Sequence, residues 1–191
     1  YRSGWRPLRS ATNRFRALWA VTMHRDEKKQ PVLDRALLNK VALRSPDGLL
    51  AFGFGSGLSP FAPGTMGTLI AIPFAFALKG LEAPAFWVAL FLLFWLGVYV
   101  CDRVSQKLGV HDHGGIVWDE MVGYWLSIAF VPLQWHWLLA AFVLFRFFDI
   151  VKPWPIRELD KKVRGGFGIM IDDILAAVFT IVCLALLQRF W

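Results

Sequence analysis

Cysteine is nearly absent: Cys101 and Cys183 are the only two in 191 residues. Both lie in or at the edge of apolar runs, where a small, weakly polar side chain serves packing, so no disulfide framework is inferred. Cys183 to Arg189 matches the C-x5-R spacing of cysteine phosphatases, but that loop needs glycines and exposed amides around a thiolate, and CLALLQR is an apolar helix end. Lys-Ser/Thr does not follow the last glycine of the glycine-rich stretch from Gly53 to Thr68, which excludes a Walker A loop, and no strand precedes it as a dinucleotide fingerprint requires. No nucleic-acid-binding motif accompanies the net charge of +7, so nucleic acid is not expected as a partner. The short apolar stretch Ala17 to Met23 has no small-x-small cleavage site, and it reads as a surface-lying amphipathic turn or as disorder rather than as a signal peptide. Internal repeats and low-complexity segments are also lacking.

Apolar residues are what the chain has in excess. They make up 57% of it, and the mean hydropathy of +0.48 lies above the usual range of soluble domains. They are gathered in long blocks, with many of the ten tryptophans near block ends, where indoles anchor at membrane interfaces. A span needs about 20 residues to cross roughly 30 Å of hydrocarbon. On that scale the blocks predict an all-α, multi-pass membrane protein of four or five membrane helices, near 64–80, 84–101, 120–133, 135–151 and 173–190. The pair 120–133 and 135–151 reads as two short spans or as one partly inserted hairpin.

Charge sets the expected orientation. Residues 1 to 47 carry 11 Lys/Arg against 4 Asp/Glu, and the rest of the chain carries 10 of each. A basic segment beside membrane helices reads as cytoplasmic. Alternation then places 102–119 and 152–172 inside, with seven Lys/Arg between them, and leaves one Lys in the outer loops. The expected organisation is a basic, flexible extension at 1–46 followed by one helical membrane domain at 47–191.

Three inner-face segments hold most of the remaining polar residues. GFGSGLSPFAPGTMGT (Gly53 to Thr68) leads glycines and hydroxyls into a helix start, a setting that favours anions such as phosphate; a tight membrane-entry turn explains it equally well. GVHDHGGIVWDEMVG (Gly109 to Gly123) brings Asp112, Asp119 and Glu120. Neighbouring helical residues point about a hundred degrees apart, so Asp119 and Glu120 cannot aim at one atom. His111 and His113, two apart in a glycine-rich loop, fit a solvated turn better than a metal site. The third segment, Arg146 to Asp173, carries Arg146, Asp149 and Lys152 as a polar stripe at helical spacing, ends that helix at Pro153 and Pro155, and opens the last helix at Asp172 and Asp173. Helix capping accounts for one aspartate of that pair, but not for three acidic clusters on one face.

Two carboxylates about 4 Å apart repel by roughly 1 kcal/mol in water and about 4 kcal/mol at an effective dielectric of 20. Four or five of them at a membrane therefore call for a cation. Oxygen-only ligands beside a phosphate cradle favour Mg²⁺, which keeps waters and shares phosphate oxygens.

In order and spacing, these three blocks resemble the signature blocks of the phosphatidylglycerophosphatase A family of bacterial inner-membrane lipid phosphatases. The resemblance runs from about Pro46 to the C-terminus. It implies Mg²⁺-dependent hydrolysis of phosphatidylglycerophosphate, a phospholipid substrate, to phosphatidylglycerol and phosphate, on the cytoplasmic side of the inner membrane. The clustering of acids motivates the expected roles: Asp119, Glu120, Asp149, Asp172 and Asp173 as Mg²⁺ ligands and general base, Arg146 and Lys152 as phosphate holders, and Ser56, Gly57 and Thr65 as a cradle for its oxygens. A cation transporter is the rival of another class, but it predicts acids near mid-span rather than at span ends. A CDP-alcohol phosphotransferase is the nearer rival, and its spaced D-G, A-R and D-x3-D pattern is absent.

Overall fold

The structure, a computed structural model, describes residues 35–190. The turn expected at Ala17 to Met23 and most of the expected 1–46 extension lie outside the described residues. Those residues form helices and no strands: α1 (Arg35–Arg44), α2 (Pro46–Ala51), a 3-10 segment (Gly53–Leu58), α3 (Pro63–Lys79), α4 (Ala83–Leu108), α5 (Trp118–Ser127), α6 (Trp135–Val151), α7 (Ile156–Lys162) and α8 (Gly165–Phe190).

Local chemistry sets the helix ends. Ser45 caps α2 by accepting from the Gly48 amide at 3.2 Å, ahead of Pro46 and Asp47 in the first turn. α4 stops at Gly109, whose φ of 68° is cheap only for glycine. α4 and α8, at 26 residues each, are long and apolar enough to cross a membrane, and α3 and α6, at 17 residues, extend about 25 Å.

Two expected boundaries are corrected. The third apolar segment is helical for only 10 residues, Trp118–Ser127, or about 15 Å, and does not reach 133 as a helix. Val131 precedes Pro132, which disfavours helical backbone there, and the amides of Ile128, Ala129 and Val131 close local turns instead. The last helix begins at Gly165, so Asp172 and Asp173 sit about two turns inside it rather than opening it. Its first amides are satisfied from elsewhere: Gly165 donates to His111 Nε2 at 2.9 Å and Gly166 to Asp102 Oδ1 at 3.0 Å. The aspartate pair is thus freed from the capping role.

α8 is the centre of the bundle and packs against α4, α5, α6 and α7. Its buried residues include Gly166, Ile169, Met170, Asp172, Asp173, Ala176, Ala177, Thr180 and Leu184, a stripe at helical spacing with two acids in it. Small residues let the helices close up. Gly64, Gly67, Thr68, Ala71 and Ala75 form the buried face of α3, and Trp125 of α5 donates to Ala71 O at 2.8 Å. At Gly97 a Cβ would come 2.5 Å from Met170 Sδ, and at Gly166 it would overlap the Val98 carbonyl. Outward-facing residues are large and apolar, among them Phe91 and Leu92 on α4, Val143 and Phe147 on α6 and Val182 and Leu186 on α8, as a lipid-facing surface requires.

The three motif segments meet at one end of this bundle. Gly57 lies against the Gly115 carbonyl, and the latches from His111 and Asp102 tie α8 to α4 and its following loop. The opposite end is marked by Lys79 Nζ, which donates to Ala129 O at 3.0 Å, and by the Trp87–Phe130 ring contact.

Gly166→Ala is expected to lower stability by about 1–3 kcal/mol, since a backbone carbonyl cannot yield as a side chain can; thermal unfolding in detergent measures it. His113 Nδ1 accepts from the Gly115 amide at 3.0 Å, and burial lowers its pKa against the opposing charge of Asp112. The unfolded chain therefore binds more protons below about pH 6.5. The stabilisation from His113 is complete above that value and is lost as pH falls through the folded pKa. The melting temperature should fall on acidification below about pH 6.5, and less steeply in His113→Asn, whose amide oxygen can accept the same bond without titrating.

Candidate active site

The site is built where α6 ends and α8 begins its descent, with α5 between them. Arg146 lies on the C-terminal half of α6 and Lys152 is its C-cap. Arg146 Nη1 donates to Glu120 Oε1 at 2.9 Å and lies 2.7 Å from Asp149 Oδ2. Lys152 Nζ donates to Asp172 Oδ2 at 2.5 Å and lies 3.2 Å from Asp160 Oδ1. Each cation thus joins acids from different parts of the chain: α5 with α6 through Arg146, and α7 with α8 through Lys152. Lys152 holds a left-handed backbone conformation, φ 43° and ψ 63°, at the C-cap of α6. For a non-glycine residue that conformation costs of order 1–3 kcal/mol, and such strain gathers at functional sites. It turns the chain from α6 toward Pro153.

Asp119 and Asp173 have no cation of their own. Among the described residues neither forms an ion pair, and both are buried, Asp173 to 2% exposure. Asp173 interacts electrostatically with Asp149, Asp119, Asp172 and Glu120, and Asp119 with Glu120, Asp112, Asp172 and Asp149. The five predicted acids therefore share one neighbourhood. Asp119 and Glu120 do diverge: Glu120 turns to Arg146, while Asp119 sits in the interior without an ion pair.

Asp112 stands at the mouth of this region with an exposed side chain. The protein around it and the nearby Asp160 and Asp149 push its carboxyl above the usual range, against the pull of Lys152 and His111.

Unsatisfied atoms show what the pocket wants. Asp119 Oδ1, Glu120 Oε2, Asp172 Oδ1 and Asp173 Oδ2 are buried without a hydrogen-bond partner, and so is Arg146 Nε. A buried polar atom left alone costs about 1–3 kcal/mol, more when charged. Four orphaned oxygens from acidic residues beside one orphaned guanidinium N–H suit a cation together with an anion. No group of three or more His, Cys, Asp or Glu among the described residues is gathered closely enough to hold a metal by itself. The donor set fits a hard ion that takes one or two carboxylates and completes its shell with water and phosphate oxygens, the habit of Mg²⁺, rather than a closed protein cage.

The glycine-rich segment divides in two. Ser56 Oγ donates to Gly53 O at 2.8 Å and the Gly57 amide donates to Phe52 O at 3.0 Å. Both donors are spent on the 3-10 turn, and Gly57 is buried against Gly115, so the structure turns neither of them toward a ligand. Thr65 is placed differently, in the first turn of α3, half-buried. The residue before that turn, Ala62, offers no side-chain cap, so the Gly64 and Thr65 amides keep the positive end of the helix dipole open.

Several contributing residues were not among those predicted. Gly64 is one: the Glu120 carboxylate lies where a Cβ would be, and its signal was a glycine directly after the helix-starting Pro63. Asp160, the second acid on Lys152, sits in the charged run RELDKK, which reads locally as a solvated helix face. His111 and His113 hold backbone amides through Nε2 and Nδ1 and are structural latches.

The chain is similar to known proteins over most of its length. Residues 49–188 match the family model described as Phosphatidylglycerophosphatase A. A protein of that name from Escherichia coli (strain K12) is 46% identical over 154 residues, 80% of this chain and 90% of its own length. Another from Haemophilus influenzae is 50% identical over 156 residues, 81% of this chain and 95% of its own. A relative from Bacteroides thetaiotaomicron, 42% identical over 145 residues, 72% of this chain and 90% of its own, bears the provisional name phosphatidylinositol-3-phosphatase. No solved structure matches the chain. With the family model covering nearly the whole described bundle and all three acidic clusters inside the matched range, the chain belongs to the phosphatidylglycerophosphatase A family.

Proposed function

We propose that this chain hydrolyses phosphatidylglycerophosphate to phosphatidylglycerol and inorganic phosphate, with Mg²⁺, at the cytoplasmic face of a bacterial inner membrane. The observation that carries the reading is the set of buried, unpartnered oxygens of Asp119, Glu120, Asp172 and Asp173, with Glu120 paired to Arg146 and Asp172 to Lys152. A phosphomonoester brings the anionic oxygens that two cations can take, and its metal brings the charge that the acids require. The names of the relatives supply the headgroup. α3 and α6 join α4 and α8 as passes in this reading, and α5 completes its crossing through the turns at 128–131, where Ile128 and Val131 are buried in protein.

The residues divide the chemistry as follows. Glu120 and Asp149 hold Arg146, and Asp172 and Asp160 hold Lys152, until phosphate oxygens take their places on the two cations. Asp119 and Asp173, with no ion pair to break, are free to ligate the metal or to accept the proton of the attacking water. The open α3 N-terminus at Gly64 and Thr65 adds a dipole for the anion. When bound, Mg²⁺ would offset the negative charge on the phosphoryl oxygens and lower the pKa of a coordinated water. Water oxygen bonds to phosphorus, the ester P–O bond breaks, and the lipid alkoxide leaves with a proton.

Phosphate release from phosphatidylglycerophosphate in detergent micelles, with and without Mg²⁺, tests the proposal against phosphatidate, lysophosphatidate and phosphatidylinositol 3-phosphate as competitors. Release that is indifferent to chelation removes the metal, and preference for another lipid removes the headgroup assignment. Asp172→Asn and Asp173→Asn should each lower kcat by at least about 10²-fold in protein that still purifies as a folded species. Gly64→Ala should lower it by about tenfold or more by displacing the Glu120 carboxylate from Arg146; near-normal turnover would show that this ion pair does not position the site.

A further inference from the structure

We infer that a crevice on the lipid-facing side, between α4, α5 and α8, seats an acyl chain of the substrate and makes the enzyme selective for long-chain lipid. The inference rests on the function proposed above and adds the part of the substrate that the polar pocket cannot read.

The crevice follows from how two helices part. α4 and α8 are tight at Gly166, which abuts Val98, and at Gly97, which abuts Met170 and Trp118. Those glycines occupy the half of the crossing nearest the motif segments. Farther along, the facing residues of α4 are large, and no glycine allows the same approach. From Trp87 to Trp95, one face of α4 walls a cavity of about 380 Å³. Val122 of α5 and Ile174 of α8 also line it. Aromatic rings interlock along the wall: Phe91 meets Trp95 edge-to-face at 6.2 Å between centroids, Phe94 meets Phe167 of α8 edge-to-face, and Trp95 meets Phe167 at a tilt.

Three observations point to an acyl chain as the occupant. The lining carries no charged side chain, so a headgroup would lose its hydration without compensation. The crevice lies on the two helices long and apolar enough to cross a membrane, and Phe91, at 61% exposure, and Trp95, at 48%, open it toward lipid. Its lining is also continuous with the polar site. Val122 follows Asp119 by three residues on α5, about one helical turn along the same face, and Gly123, the next residue, lies close against the Asp173 carbonyl of α8, one residue before Ile174. A chain lying there belongs to a molecule whose phosphate end is at the carboxylates. Bulk lipid has no reason to be counted at that one place, whereas the substrate does, because one molecule spans both regions.

The test compares kcat/KM for long-chain and short-chain phosphatidylglycerophosphate in the same detergent. Ile174→Phe narrows the crevice and is expected to lower the long-chain to short-chain ratio of kcat/KM by about tenfold. Val182→Phe, on a lipid-facing position of α8 outside the crevice and 53% exposed, is expected to leave the ratio at its wild-type value. Equal losses on both substrates in Ile174→Phe, no change in either, or a shift of the same size in Val182→Phe overturns the inference. If Ile174→Phe does not fold, Phe91→Ala, at an already exposed position of the wall, is read by the same ratio and the same criteria. Wild-type protein that releases phosphate from neither substrate overturns the function itself, an outcome distinct from an unchanged ratio, and the crevice reading falls with it.

Discussion

Repulsion among carboxylates is the constraint around which this bundle is arranged. Asp119, Glu120, Asp149, Asp172 and Asp173 occupy one neighbourhood, and Arg146 and Lys152 are the cations paired within it. In water the acids would be tolerable neighbours; inside a protein each close pair is worth several-fold more. Each cation offsets part of that repulsion by serving two acids, Arg146 with Glu120 and Asp149 and Lys152 with Asp160 and Asp172. A helical membrane protein has little hydrophobic drive to bring helices together once they are in lipid, so the close approaches at Gly64, Gly97 and Gly166 set the spacing of the charges as much as the charges themselves do.

The latches at the bundle end have a matching purpose. His111 and Asp102 satisfy the first amides of α8, and that leaves the acids two turns further in free of any capping duty. Metal and phosphate chemistry needs acids whose lone pairs are not already committed, and a helix start that borrows its caps from another segment is one way to provide them. The same economy appears at α3, which begins on a proline with no side-chain cap and leaves its amides open near Glu120.

Much of this was readable in the chain itself. Apolar blocks with tryptophans at their ends gave an all-helical fold, since no amphipathic alternation of period two competes with them. Arg146, Asp149 and Lys152 at intervals of three could only form a stripe, and both cations of that stripe do hold acids. What the sequence hid was of two kinds. Helix ends set by distant partners were missed: Gly165 looks like loop until His111 and Asp102 are seen to cap it, and a glycine run alone argues for a break. The third block is long and apolar, yet Pro132 and the turns before it end the helix early. The cradle is a related case: Ser56 and Gly57 have the right chemistry, and both donate within their own turn. Local pattern cannot tell a hydroxyl that is available from one that is already spent.

The position of Asp173 in the buried stripe of α8 bears on how the molecule is made. An isolated helix carrying two adjacent aspartates about 12 Å from its end is a poor guest in a bilayer. Ribosomes read this chain from the other terminus, so Arg146 and Lys152 have been synthesised, and the groove between α5 and α6 can be assembled, before α8 emerges. Gene order within the polypeptide thus supplies the counter-ions ahead of the acids they receive, and a rearranged chain that began with α8 would offer the membrane its least acceptable segment first.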